Sequence, residues 1–111
     1  MIKIEIMVTF STCPDAETAS RIGRALVQER LAACVNVVPG IRSIYRWQGA
    51  IEDQSEVLMI VKTTADRLAQ MSERLVELHP YAVPEVVAVS VAGGHDAYLR
   101  WGAEATRTPD A

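Results

Sequence analysis

Cys34-Val35-Asn36-Val37-Val38-Pro39-Gly40-Ile41-Arg42-Ser43-Ile44-Tyr45-Arg46-Trp47 is the stretch whose reading decides the fold. Its first five residues are β-branched and apolar enough to open a strand. Pro39 cannot donate to a strand ladder, so this strand must bulge or lie at a sheet edge. Pairing resumes from Ile41 to Trp47, Gln48-Gly49 turns the chain, and Ala50 to Asp53 returns alongside. The apolar run Val57-Leu58-Met59-Ile60-Val61 reads as a third, well buried strand.

Outward from this hairpin, strand and helix patterns alternate. Ile2 to Phe10 predicts a central strand, and Ser11-Thr12-Cys13-Pro14-Asp15 switches the signal to a helix start. That helix is expected to run to about Leu31, with Ala19, Ile22, Leu26 and Val27 on its buried face. On the other side, Thr63 and Asp66 match a capping box, and Leu68, Met71, Leu75 and Leu78 form a helical stripe. His79-Pro80 ends that helix, because a residue before proline resists the helical region. Val86 to Val91 predicts a fourth strand. A last helix through Tyr98, Leu99 and Trp101 follows Gly93-Gly94 and His95-Asp96, and the tail after Glu104 is expected to fray.

The order is βαββαβ with an added C-terminal helix. It predicts one α+β domain over residues 1–111, a ferredoxin-like sandwich of a mainly antiparallel sheet with helices on one face. The strands are apolar at both parities: Val35, Val37, Val57, Met59, Val61, Val87 and Val89 alternate with Val38, Leu58, Ile60, Val86 and Ala88. One helical layer cannot hide both sets, so self-association through the open face and strand edges is expected.

Composition narrows the partners. The chain has 111 residues, half of them hydrophobic, with 14 acidic against 11 basic side chains and a net charge of −3. Clustered Lys and Arg for phosphate binding are missing, so no nucleic-acid partner is expected. No apolar run approaches the roughly 20 residues that span a bilayer, so no membrane role is expected. Met1 to Val8 lacks a basic lead and contains Glu5, which reads as a strand rather than a signal peptide and predicts a cytoplasmic, reducing location. Cys13 and Cys34 flank a helix of about 18 residues, roughly 27 Å long, beyond disulfide reach.

At Leu31 to Gly40 the sequence closely resembles the CutA family. The match continues through Ser43 to Gly49, Ile51-Glu52, Glu56-Val57 and Ile60 to Thr63. It closes with Leu78 to Tyr81, Val83 to Val86 and Tyr98 to Trp101. The resemblance covers nearly the whole chain. It implies a ferredoxin-like homotrimer with strands extended across subunits, and a part in tolerance to divalent cations, copper above all. The trimeric architecture also looks like that of PII-type signalling proteins, a likeness at the level of fold only.

Thiolate and imidazole suit copper or zinc, which makes Cys13, Cys34, His79 and His95 the candidate ligands by residue type. None of them has the close spacing of a dedicated metal motif. By resemblance, Cys34 and His79 occupy positions matching a proposed copper site, whereas Cys13 does not. Topology puts Cys13, the hairpin and His79 at one end of a subunit and Cys34 with His95 at the other. A site using both Cys34 and His79 therefore has to form between subunits. The alternatives are a small core residue for Cys34 and a helix C-terminal partner for His79. A second constellation, Tyr45, Trp47, Glu52, Glu56, Lys62, Tyr81 and Glu85, combines aromatic rings with ionisable groups, most of them near the hairpin end. These groups suit either an intersubunit ligand cleft or interface anchors with rim ion pairs. No hydrolase elbow, P-loop or dinucleotide fingerprint occurs, so a binding protein is expected rather than an enzyme. No cofactor is required, and the candidate cargo is copper(II) or another divalent cation. The alternative is a PII-like small-molecule sensor with ligand sites in intersubunit clefts.

Overall fold

The strand ladder sets the architecture. A computed structural model describes residues 5–108. Its elements are β1 (Ile6–Cys13), α1 (Ala16–Gln28), β2 (Cys34–Trp47), β3 (Ala50–Thr64), α2 (Leu68–Leu78), β4 (Val87–Ser90) and α3 (Asp96–Ala105). The sheet order is β2-β3-β1-β4 and every pair is antiparallel, the expected split βαβ arrangement.

Alternation along the strands sorts the two faces. Cys13, Val57, Met59 and Val61 point to one side and are buried with Ala19, Ile22, Leu26, Met71 and Leu75 of α1 and α2. Phe10, Leu58 and Ile60, at the other parity, stay half-buried, while Val87 and Val89 are 53% and 48% exposed. The expectation that all helices share one face needs correcting for α3. Thr106, just past its end, meets Thr64 (Oγ1 to Oγ1, 3.3 Å), and Lys62 Nζ lies 5.9 Å from the centre of the Tyr98 ring. Lys62 and Thr64 point away from α1, so α3 caps the opposite face at its Ile6–Thr64 end and leaves the rest uncovered.

The Pro39-Gly40 interruption is a bulge. The register slips between Val38, opposite Leu58, and Ile41, opposite Glu56, so β2 holds one extra residue. Gly40 takes a left-handed φ of +76° there, which glycine adopts without steric penalty. All of the irregularity is on β2, and β3 runs unbroken from Ala50 to Thr64, where the sequence pattern predicts two separate pieces. The turn at Gln48-Gly49 has positive φ at both residues (49° and 81°), the pattern of a tight two-residue hairpin.

Three predicted boundaries move. Ser11-Thr12-Cys13, expected to lead into the helix, completes β1 opposite Met59, Leu58 and Val57. The α1 start is set instead by Asp15, whose side chain accepts the Thr18 N–H at 2.7 Å. Residues 2–4 of the expected first strand lie outside the described residues. Helix α1 ends at Gln28 rather than Leu31, because Arg30 turns left-handed (φ 59°) and the N–H groups of Arg30 and Leu31 donate to Val27 and Leu26 carbonyls. The expected Thr63–Asp66 capping box does not form. Thr63 remains in β3 and its hydroxyl donates to the Leu31 carbonyl at 2.7 Å, while α2 starts after Arg67 with no side-chain cap. Packing continues past Glu104, since Thr106 is buried.

β1 ends opposite Val57, so Ile41–Trp47 and Ala50–Glu56 run on as a two-stranded ribbon that β1 does not flank. Ile44 and Ile51 on this ribbon are each 68% exposed, and Arg42 makes a bidentate pair with Asp53 at 2.7 Å.

The left-handed Arg30 generates a test. A side chain with a Cβ is strained at this position, so Arg30→Gly is expected to raise stability by about 1 kcal/mol in urea unfolding. An unchanged or lower midpoint refutes this account of the helix stop.

Candidate functional site

The end of β1, the end of α2 and the root of the ribbon converge at one place. His79 follows the last residue of α2, and its ring is pinned at both nitrogens. Nε2 lies 2.8 Å from the Thr12 carbonyl oxygen and Nδ1 lies 3.1 Å from the Tyr81 N–H. A carbonyl only accepts and an amide N–H only donates, so the ring is held as the Nε2–H tautomer. Cys13 Sγ lies 3.6 Å from the same Nε2. The ring therefore ties α2 to the last residues of β1 and shapes the Pro80–Pro84 segment.

Tyr81 stacks on His79 with ring centroids 4.7 Å apart and a tilt of 52°. Its hydroxyl donates to Glu56 Oε2 at 2.6 Å. Burial, then the hydrogen bond and charge of Glu56, push the Tyr81 hydroxyl well above its ordinary range, so it stays a proton donor. Glu56 is only 7% exposed, sits opposite Ile41 directly after the bulge, and has no ion-pair partner among the described residues.

Beside this chain of contacts opens a cavity of about 910 Å³, lined among others by Tyr45, Trp47, Glu56, Tyr81 and Glu85. The ladder explains the ribbon's share: Ser43 faces Gln54 and Ile41 faces Glu56, so alternate residues of both strands look the same way. Five of the seven residues in the aromatic and ionisable set thus share one concavity. Glu52 lies opposite Tyr45 on the ribbon without lining the cavity, and Lys62 pairs with Cys34 at the far end of the sheet. Sequence patterning did not single out Thr12 or Cys13 as partners of His79. The contact spans 67 residues of chain, and the carbonyl that makes it carries no side-chain signal.

Of the metal candidates, Cys13 and His79 meet within the chain, whereas Cys34 lies far from that pair. Cys34 lies opposite Lys62 and Cys13 opposite Val57, five residues of strand apart, which is about 17 Å. Cys34 Sγ lies 3.8 Å from Asn36 Oδ1, and among the described residues no three His, Cys, Asp or Glu side chains converge to hold a metal ion. His95 stands at the start of α3.

Burial, with Glu56 and Asp15 adding, lifts the Cys13 thiol from 9.0 to about 11. The native state therefore keeps this proton when the unfolded chain has lost it. Above pH 9 the unfolded state binds fewer protons, so stability falls as pH rises toward about 11 and is unaffected by this group below 9. Urea midpoints compared at about pH 8 and about pH 10.5 are expected to drop, and to drop less in Cys13→Ala. An equal drop in the variant refutes the assignment.

Comparison with known proteins bears on the family and the fold. The family model described as "CutA1 divalent ion tolerance protein" matches residues 7–105. The divalent-cation tolerance protein CutA of Thermus thermophilus is 52% identical over 99 residues, 89% of this chain and 96% of that protein. The chloroplastic CutA of Arabidopsis thaliana is 44% identical over 91% of this chain, which spans only 56% of that longer protein. The crystal structure of CutA from Xylella fastidiosa superposes with a TM-score of 0.90 at 47% identity, covering 92% of this chain and 98% of its own. With its residues matched almost end to end and its fold superposed, this chain belongs to the CutA1 divalent ion tolerance family.

Proposed function

We propose that this chain acts as a homotrimeric binding protein in divalent-cation tolerance, taking copper(II) or another divalent cation weakly. The observation that carries the assembly is the unsupported ribbon with Ile44 and Ile51 exposed, beside a sheet face that α3 covers only at one end. Contiguous apolar surface of this kind is stable in water when another copy covers it. The cation role is supported by family membership and by the names that relatives bear. Cys34 and His79 are the proposed ligands, contributed by different subunits. His79 can coordinate only by giving up a hydrogen bond it already makes, which accounts for weak binding. No catalytic role is proposed; the Cys13 thiol, raised to about 11, is a poor nucleophile at neutral pH. The proposed compartment is the cytoplasm. Relatives named chloroplastic or periplasmic show that the compartment varies within the family. Among the described residues, no helix is long and apolar enough to cross a membrane.

A second reading is favoured by the cavity: a small-molecule sensor whose ligand sites lie in intersubunit clefts. A concavity of about 910 Å³ with three aromatic rings and two carboxylates exceeds what a bare metal ion occupies.

Light scattering is expected to give a species of three times the 12.2 kDa chain mass. Ile44→Asp with Ile51→Asp is expected to shift it toward single chains without loss of helical circular dichroism, and a wild-type monomer refutes the assembly. Calorimetry with copper(II) is expected to show saturable binding in the wild type and none in Cys34→Ala, His79→Ala. Undiminished binding by that double variant rules out the ligand assignment.

A further inference from the structure

The cavity at the root of the ribbon has a one-sided chemistry. The share of its lining that one chain supplies includes Glu56 and Glu85 and, among the described residues, contains no Lys, Arg or His. Three rings, Tyr45, Trp47 and Tyr81, line the same space. Acids without a basic residue repel phosphate and carboxylate ligands, while ring faces attract a positive head group.

The second observation is Glu56 itself. The residue is more than nine-tenths buried; Oε2 accepts from Tyr81, while Oε1 has no hydrogen-bond partner among the described residues and, not being fully buried, opens to the cavity. Buried carboxylates are ordinarily paired with a cation or fully hydrogen-bonded. Arg42, on the same ribbon, is committed to Asp53, and no described cation pairs with Glu56. A half-satisfied carboxylate that lines an aromatic concavity matches a donor-bearing cation.

We infer that this cavity binds a small organic cation, a primary ammonium or guanidinium head on a short apolar stem. Its head donates to Glu56 Oε1, Glu85 adds a second negative charge, and the stem lies among Tyr45, Trp47 and Tyr81. A bare divalent ion fits less well, since the concavity is far larger than an ion and no triad of ligating side chains converges there. Tyr81 acts as a positioning residue: its hydroxyl holds Glu56 Oε2 and leaves Oε1 free for the ligand. The inference rests on the second reading above, of the cleft as a small-molecule site, and adds the class of ligand.

Calorimetry on the full chain with diaminobutane, butanediol and ATP tests it. Diaminobutane is expected to bind saturably, more weakly as sodium chloride rises, and butanediol at least about tenfold less tightly. Glu56→Gln keeps the bond from Tyr81 but loses the charge. It is expected to melt no lower than the wild type without ligand and to bind diaminobutane about tenfold less tightly. If Glu56→Gln does not fold, Glu85→Gln, at an exposed position, is expected to lose about fivefold. Equal affinity for diamine and diol, or undiminished affinity in the variant that folds, overturns the inference. Binding of ATP with none of diaminobutane overturns the cation class while leaving the small-molecule reading standing. Silence from all three probes overturns both.

Discussion

The constraint on which the rest depends is a mismatch of strand lengths. β3 runs from Ala50 to Thr64, but β1 pairs only with Val57–Thr64 of it. Among the described residues, the remainder of β3 has β2 as its sole strand neighbour, and the two go on as a ribbon. A two-stranded ribbon in water is marginal by itself, because it has little apolar area to bury. This one presents Ile44 and Ile51 outward and holds its strands together with a tight turn and the Arg42–Asp53 pair. Exposed ion pairs of that kind add little. The exposure of the ribbon within its own chain is what the proposed assembly rests on, and its root shapes the cavity.

His79 governs that root. Both ring nitrogens are used, one on the β1 backbone and one on the segment after α2, so the ring behaves as a clamp between elements distant in sequence. Tyr81 rests on the clamp and reaches Glu56 at the first paired position after the bulge. Bulge, clamp and carboxylate form one mechanical unit: the bulge turns the ribbon, and the clamp places a hydroxyl where Glu56 needs one. The same bonds make His79 an unwilling metal ligand. The proposed weak contact between subunits is the reading that accommodates both membership of a cation-tolerance family and the absence of a converging ligand set among the described residues.

Legibility in the sequence followed the length scale of each signal. Period-two apolar runs and the Gln48-Gly49 turn announced the strands, and Pro39-Gly40 announced the bulge, because these are local backbone constraints. Boundaries went astray where a tertiary bond overrode a local preference. Thr63 has the chemistry of a helix cap, but its hydroxyl serves the Leu31 carbonyl and its backbone serves the ladder. The three residues before Pro14 have turn-like chemistry, yet pairing with Met59, Leu58 and Val57 draws them into β1. Arg30 carries no glycine to mark the helix stop; packing of Leu26 and Leu31 into one core selects the left-handed turn.

By itself the sequence determined the α+β order, the doubly apolar strands, the family blocks, and the separation of Cys34 from His79, since strand direction follows from counting elements. It also named Tyr45, Trp47, Glu52, Glu56, Lys62, Tyr81 and Glu85 as one set, of which the cavity takes all but Glu52 and Lys62. Only the tertiary structure decided that Cys13 and Thr12 meet His79, that α3 crosses to the other face, and that Glu56 is buried with one oxygen unpaired. The physical reason is the same in each case. Local pattern encodes which face a side chain takes, whereas which distant backbone group completes its hydrogen bonds depends on how the layers finally pack.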